Sequence, residues 1–257
     1  MRLLLFSLRI IPVTVLILLG LLSVTLIFPL VPMSVRLAMN RYWSAALVWL
    51  CGIKVQVHGD PKLDAPMLWV ANHVSWVDIF VLNKVRPTVF VAKSEIRRWP
   101  VIGWLVAGAG TVFIERNSRQ AIRRVGEQMK QRFDQGHVVG LFPEGTTSSG
   151  FDVAPFHSSL FDAAIRAQID IQPVALRFFH KGRRSIEHAF VGEQTLVGNL
   201  WCLLGVRQVL VQVEFLSIIS CDRCVELGRA RIADYTHGRI RAAVLPGEAD
   251  AQDGRAH

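Results

Sequence analysis

The sequence predicts an α/β protein, a largely parallel, helix-covered sheet of about seven strands preceded by an N-terminal membrane-associated helical hairpin. Three observations carry that expectation. Short β-rich runs alternate with helical stretches from residue 54 to residue 215. The front of the chain is apolar, with no charged residue between Arg9 and Arg36. The composition is 51% hydrophobic, and the excess sits in the first fifty residues. The expected organisation is a membrane anchor or hairpin over 1–53, a catalytic domain over 54–246 and a disordered tail over 247–257, where Asp and Gly accumulate.

The apolar run 10–28 is at the lower edge of the length needed to cross a bilayer. Arg2 and Arg9 precede it as they would in a signal peptide, but no small-x-small cleavage site follows, so a retained anchor is expected. Pro29 and Pro32 should break the helix. A second apolar stretch, 42–53, contains Trp43 and Trp49, in the manner of an interfacial helix, and a buried core helix fits it equally. Arg2 and Arg9 on one side balance Arg36 and Arg41 on the other, which suits a re-entrant hairpin with both ends on one face.

Strands are expected at 54–58, 67–71, 88–92, 111–114, 138–142, 171–178 and 207–215, and helices at 75–83, 100–107, 118–134 and 158–167. The run 67–71 is short and wholly apolar, as a buried parallel strand should be. Ser75 followed three residues later by Asp78 reads as a capping box opening the next helix. His73 then falls in the turn before that helix, from which it can fold back to the Asp78 carboxylate. Such a pair can make one imidazole nitrogen a proton acceptor while the carboxylate holds the proton of the other. Spacing alone does not choose the pair, because His157 and Asp162 repeat it.

The formal charge of +9 admits anionic lipid, nucleic acid or an acidic partner. No zinc-finger spacing or arginine-rich tail points to nucleic acid, and the apolar front favours lipid. A basic concentration between Lys93 and Arg132 is either a solvated helix face or a contact for anionic groups, and residues 99–104 add aromatic surface beside it. Cys51, Cys202, Cys221 and Cys224 form no disulfide framework; reduced thiols are expected, and no metal is.

Four blocks in order supply the context that spacing lacks. Asn72-His73-Val74-Ser75-Trp76-Val77-Asp78, Gly110-Thr111-Val112-Phe113-Ile114-Glu115-Arg116, Phe142-Pro143-Glu144-Gly145-Thr146 and Ile171-Gln172-Pro173-Val174 resemble the motifs of the phospholipid and glycerol acyltransferases, the family that includes 1-acylglycerol-3-phosphate acyltransferases. The resemblance implies transfer of a fatty acyl group from a thioester to a lysolipid hydroxyl, most directly 1-acylglycerol-3-phosphate. It implies no bound cofactor, with acyl-CoA or acyl carrier protein as donor, and a catalytic domain on the cytoplasmic face of the membrane. His73 would be the general base and Asp78 its orienting carboxylate. Arg116 would bind the acceptor phosphate, Gly145 and Thr146 would approach the ligand, and Glu144 would orient Arg116 or bind an acceptor hydroxyl. Ser75 is read as an N-cap, and no Gly-x-Ser-x-Gly elbow offers a serine nucleophile.

Two features of the chain count against a phosphate-bearing acceptor. Many members that use lysophosphatidic acid carry an arginine where this sequence has Thr147, and Glu115 precedes Arg116. Lyso-ornithine lipid or another lysolipid is therefore the alternative acceptor, and a non-catalytic lipid-binding membrane protein is the alternative from another class.

Overall fold

A computed structural model describes residues 2–115 and 119–245. The expected tail and Arg116 lie outside those residues. The chain opens with helix α1 (Arg2–Leu22), whose axis continues through tighter and wider turns to Leu30 before the backbone extends at Val31. Helix α2 (Met33–Leu50) returns, starting earlier than the sequence suggests because Pro32 sits at its N-cap, where a missing N–H costs nothing. By length and apolarity 2–30 is the one membrane-span candidate among the described residues, and it is mostly unburied.

The hairpin is docked on the rest of the molecule. The Arg9 guanidinium donates to the Leu204 carbonyl at 3.1 Å, and the Trp43 indole donates to Leu16 O at 2.9 Å across the two helices. Helix α4 (Ile102–Gly108) reaches α1's extension so closely that a Cβ on Gly108 would lie 2.2 Å from Val24 Cγ1. The outer face of α1 exposes Leu4, Leu8, Ile11, Val15, Leu18 and Leu22, a stripe with the helical repeat, and Trp104 on α4 is exposed as well. The membrane association expected from composition thus has a physical surface. Helix α2 meets both expectations for its stretch: Leu47 and Val48 are buried, whereas Tyr42 and Trp49 are exposed.

Eight strands form the sheet: β1 (Ile53–Gly59), β2 (Met67–Ala71), β3 (Thr88–Lys93), β4 (Val112–Ile114), β5 (Val138–Leu141), β6 (Ile171–His180), β7 (Arg183–Arg184) and β8 (Val209–Phe215). Their order is β1-β8-β6-β2-β5-β3-β4, with β7 beside β6. The centre is parallel, as expected, but β6 pairs with β8 antiparallel, and β1 is parallel to β8, so that edge runs against the rest. Strand β2 explains why the sheet must be covered twice. Met67, Trp69 and Ala71 enter the core with α1, α2, α3 (Asp78–Val85) and α7 (Leu196–Leu204), and Leu68 and Val70 enter the opposite core with α5 (Arg119–Asp134), α6 (Phe161–Arg166) and α8 (Cys221–Val244).

Helices α7 and α8 are additions to the sequence reading. α7 has Thr195 as its cap, accepting from the Gly198 N–H at 3.1 Å. α8 is two helical segments joined at Gly228, whose φ of +69° a residue with a Cβ rarely adopts, and Ile232, Thr236, Ile240 and Val244 form its buried stripe. Helix α5 settles part of the basic run as a solvated face: Arg123 pairs with Glu127 at 3.3 Å and Lys130 with Asp134 at 2.9 Å, while Val125, Met129 and Phe133 point inward.

The last residue before the turn that carries His73 is held by an imitation of sheet pairing. Strand β2 stops pairing with β6 at Ala71, and the buried Asn72 side chain continues the ladder, accepting from Leu176 N at 2.7 Å and donating to Leu176 O at 3.0 Å. Asn72→Ala leaves both backbone groups unsatisfied, a loss of about 2–4 kcal/mol. The thermal midpoint in detergent, followed by tryptophan emission, should fall by roughly 5–15 °C; an unchanged midpoint would show that the ladder does not depend on this amide.

Candidate active site

Parallel neighbours β2 and β5 end side by side, with Val70 opposite Leu141, so the residues that follow each strand share one edge of the sheet. That register brings the first and third blocks together. Glu144 fastens them: its Oε1 accepts the His73 N–H at 2.6 Å and its Oε2 accepts the Ala154 N–H at 2.9 Å. Ser148 N–H donates to the His73 carbonyl at 2.8 Å. The His73 backbone is therefore held on both sides. Burial raises the Glu144 carboxyl above its ordinary value, against the pull of the two N–H groups and the nearby His73 ring.

His73 Nδ1 lies 2.8 Å from Asp78 Oδ2, and the same oxygen accepts the N–H groups of Val74 at 2.7 Å and Ser75 at 2.9 Å. Asp78 is fully buried, while the His73 side chain keeps 19% of its exposure. The imidazole is thus fixed by one nitrogen and open at the other side. Its ring stacks on Phe142 at 4.1 Å and 15°, and Phe142 stacks on Phe90 at 5.5 Å and 5°. In the sequence Phe142 is only the opening residue of the third block and Phe90 only part of a strand, since nothing local marks an apolar strand residue as a ring support.

The capping expectation needs correction. α3 begins at Asp78, the Ser75 hydroxyl is buried with no partner among the described residues, and only the reciprocal half of the box forms, from the Asp78 carboxylate back to Ser75 N–H. The second His-x4-Asp does not repeat the first: Asp162 pairs with Arg166 at 2.7 Å, and His157 is exposed. Gly145 turns with φ +77° and Thr146 is exposed beside it, whereas the Thr147 hydroxyl donates to the Phe190 carbonyl. Glu115 is exposed at the end of β4.

Two clefts border the ring stack. An apolar one runs between the hairpin and the sheet, lined by Val13, Ile17, Trp43, Ile79, Phe80 and Phe90 among others. The other is lined mostly by apolar residues, among them Ile114, Ile122, Leu141, Phe142 and Leu160, with His157 and Ser159 as its polar side chains. Phe90 lines the first cleft and Phe142 the second, and the His73 ring rests on Phe142.

Comparison with known proteins gives the family. The profile of the family described as Acyltransferase matches residues 54–177. A lyso-ornithine lipid O-acyltransferase of Pseudomonas aeruginosa is 35% identical over 221 residues, 86% of this chain and 84% of the relative. The chain belongs to the acyltransferase family. This acyltransferase is also 38% identical over 191 residues to a 1-acyl-sn-glycerol-3-phosphate acyltransferase of Neisseria gonorrhoeae, covering 72% of this chain and 73% of that one. Its fold matches the crystal structure of the 1-acyl-sn-glycerophosphate acyltransferase of Thermotoga maritima with a TM-score of 0.69, at 21% identity, over 100% of this chain and 99% of the other.

Two substitutions separate the roles of the carboxylates. Asp78→Asn keeps an acceptor for the Val74 and Ser75 N–H groups and removes the charge facing His73; kcat should fall by about 10²–10⁴. A kcat within threefold of the parent would reduce Asp78 to a cap. Glu144→Gln places an amide nitrogen against one of two N–H donors and loosens the His73 backbone, so kcat should fall on the order of tenfold with KM little changed. A raised KM at unchanged kcat would return Glu144 to acceptor binding.

Proposed function

We propose that this acyltransferase moves a fatty acyl group from a thioester to the free hydroxyl of a lysolipid, with 1-acylglycerol-3-phosphate as acceptor and phosphatidic acid as product. The observation that carries the reading is His73, oriented by Asp78 and stacked on Phe142, which lines one cleft and itself stacks on Phe90 of the other. The imidazole nitrogen facing away from Asp78 takes the proton of the acceptor hydroxyl as its oxygen attacks the thioester carbonyl. The tetrahedral intermediate collapses with cleavage of the carbon–sulfur bond, and His73 returns the proton to the leaving thiolate. Asp78 holds the other ring proton and stabilises the imidazolium between these steps. No acyl-enzyme is required.

The apolar cleft takes the acyl chain, and the cleft at Gly145, His157 and Ser159 takes the acceptor head group, with Arg116 as its phosphate ligand and Thr146 as a hydroxyl donor. Glu144 is assigned to positioning His73, since each of its oxygens already accepts a backbone N–H. The thioester is carried by CoA or by acyl carrier protein. The hairpin lies along the catalytic body, tied to it through Arg9, with its exposed leucine stripe entering one leaflet from the cytoplasmic face. A second reading keeps the chemistry and changes the acceptor to lyso-ornithine lipid. It is favoured by Thr147, which holds the Phe190 carbonyl where a cation would favour phosphate, and by the exposed Glu115 beside Arg116.

The test is acyl transfer by the purified protein in detergent, from labelled acyl-CoA and acyl carrier protein to a panel of lysolipids, beside His73→Ala. Transfer to lysophosphatidic acid, reduced by about 10³-fold or more in the variant, is the expected result. Transfer confined to lyso-ornithine lipid would select the second reading, and full activity of His73→Ala would remove the mechanism.

A further inference from the structure

A cluster of metal-ligating side chains lies outside the site described above, where β6 ends and the loop after β7 returns. We propose that His180, Glu187 and His188 bind a divalent transition-metal ion of the zinc class, which clamps the end of β6 to the segment bracing the catalytic turn. One ligand atom from each of the three residues lies within 4.8 Å of the others. His180 Nδ1 is 2.8 Å from Glu187 Oε2, and the rings of His180 and His188 meet edge to face at 5.3 Å.

The second observation is independent of that proximity. His188 is 1% exposed, and neither of its ring nitrogens has a hydrogen-bond partner among the described residues. A native fold rarely leaves a buried polar side chain wholly unsatisfied, and an ion bound by the nitrogen that faces His180 and Glu187 would relieve half of the deficit.

The donor set decides the class of ion. Two imidazoles and a carboxylate suit zinc and its neighbours, whereas calcium and magnesium prefer oxygen throughout. Ligands on a tetrahedral zinc stand about 3.4 Å apart, so the widest separation must close by up to about 1.4 Å and the His180–Glu187 contact must open slightly. Glu187, with 55% of its side chain exposed, can supply that movement and leaves an entry path for the ion.

The consequence follows from the next two residues. Ala189 O accepts from Asn199 Nδ2 at 3.0 Å, Phe190 N–H donates to Val74 O at 2.9 Å, and the Phe190 carbonyl accepts from Thr147. A bound ion would anchor this strap to the sheet on one side while it holds the His73 turn and the third block on the other. The ion has no part in the chemistry.

The experiment uses full-length protein in detergent, stripped with a chelator and titrated with Zn²⁺ against a chromophoric chelator of micromolar affinity. His180→Gln, Glu187→Gln and Cys221→Ser are compared, the last because Cys221 and Cys224 offer the other plausible donors. Expected are one equivalent of Zn²⁺ for the parent, binding at least tenfold weaker in His180→Gln and Glu187→Gln with unchanged tryptophan emission, and no change in Cys221→Ser. Zn²⁺ should raise the thermal midpoint of the parent and leave that of His180→Gln where it was. His188→Ala is left aside because emptying a buried site risks the fold itself. Failure of the folded parent to hold an equivalent, equal binding in the two ligand variants, or loss in Cys221→Ser would overturn the site. All readouts are of binding, so the result is separate from whether His73 is the base.

Discussion

Asp78 Oδ2 accepts two backbone N–H groups from the turn that carries His73 and faces the Nδ1 of that histidine. Everything else in the site adjusts the surroundings of this contact. Buried without exposure, the carboxylate is stabilised by the N–H groups it accepts, and those groups fix the path of Val74 and Ser75. The turn and the base orientation are therefore one structure: a change that frees the turn also frees the ring. The ring itself is located by stacking on Phe142, a residue brought there by the pairing of β2 with β5.

A second layer of constraints keeps this turn against the sheet. Asn72 continues the β2 ladder onto Leu176 with its side chain, Glu144 accepts the His73 N–H, and Phe190 donates to the Val74 carbonyl. Each joins residues far apart in the chain, and each satisfies a polar group that the buried edge of the sheet would otherwise strand. The trio is what a loop needs to hold the His73 imidazole in one position against the sheet edge. The N-terminal hairpin adds the remaining wall, since its inner face lines the apolar cleft while its outer face is the apolar stripe. One pair of helices can thus serve both to meet the membrane and to guide a hydrocarbon chain towards the imidazole.

The strands were legible because their signals are local: wholly apolar runs of five and four residues for the buried strands β2 and β5, and a longer, mostly apolar run for β6. α8 was not legible. Its stripe is thinned by Ala233 and Thr236 and its first turns are cut off at Gly228, so its apolar face looks like a mixed polar segment until it packs against the sheet. The reversed edge was hidden for a different reason. Strand direction depends on where the connection through α7 returns, and no residue within β8 encodes it.

Residue types and their order determined the family, the pair His73 and Asp78, and the membrane-seeking front of the chain, because each rests on chemistry or hydrophobicity carried by a short stretch. Only the tertiary structure decided the rest. It paired Asp162 with Arg166 rather than with the equally spaced His157. It placed the two Glu144 oxygens on the backbone N–H groups of His73 and Ala154. It gathered His180 and His188 beside Glu187. The physical reason is the same in each case: a hydrogen bond or a ligand set is chosen among competing partners, and which partners compete is fixed by strand register and loop return, over separations no local pattern spans.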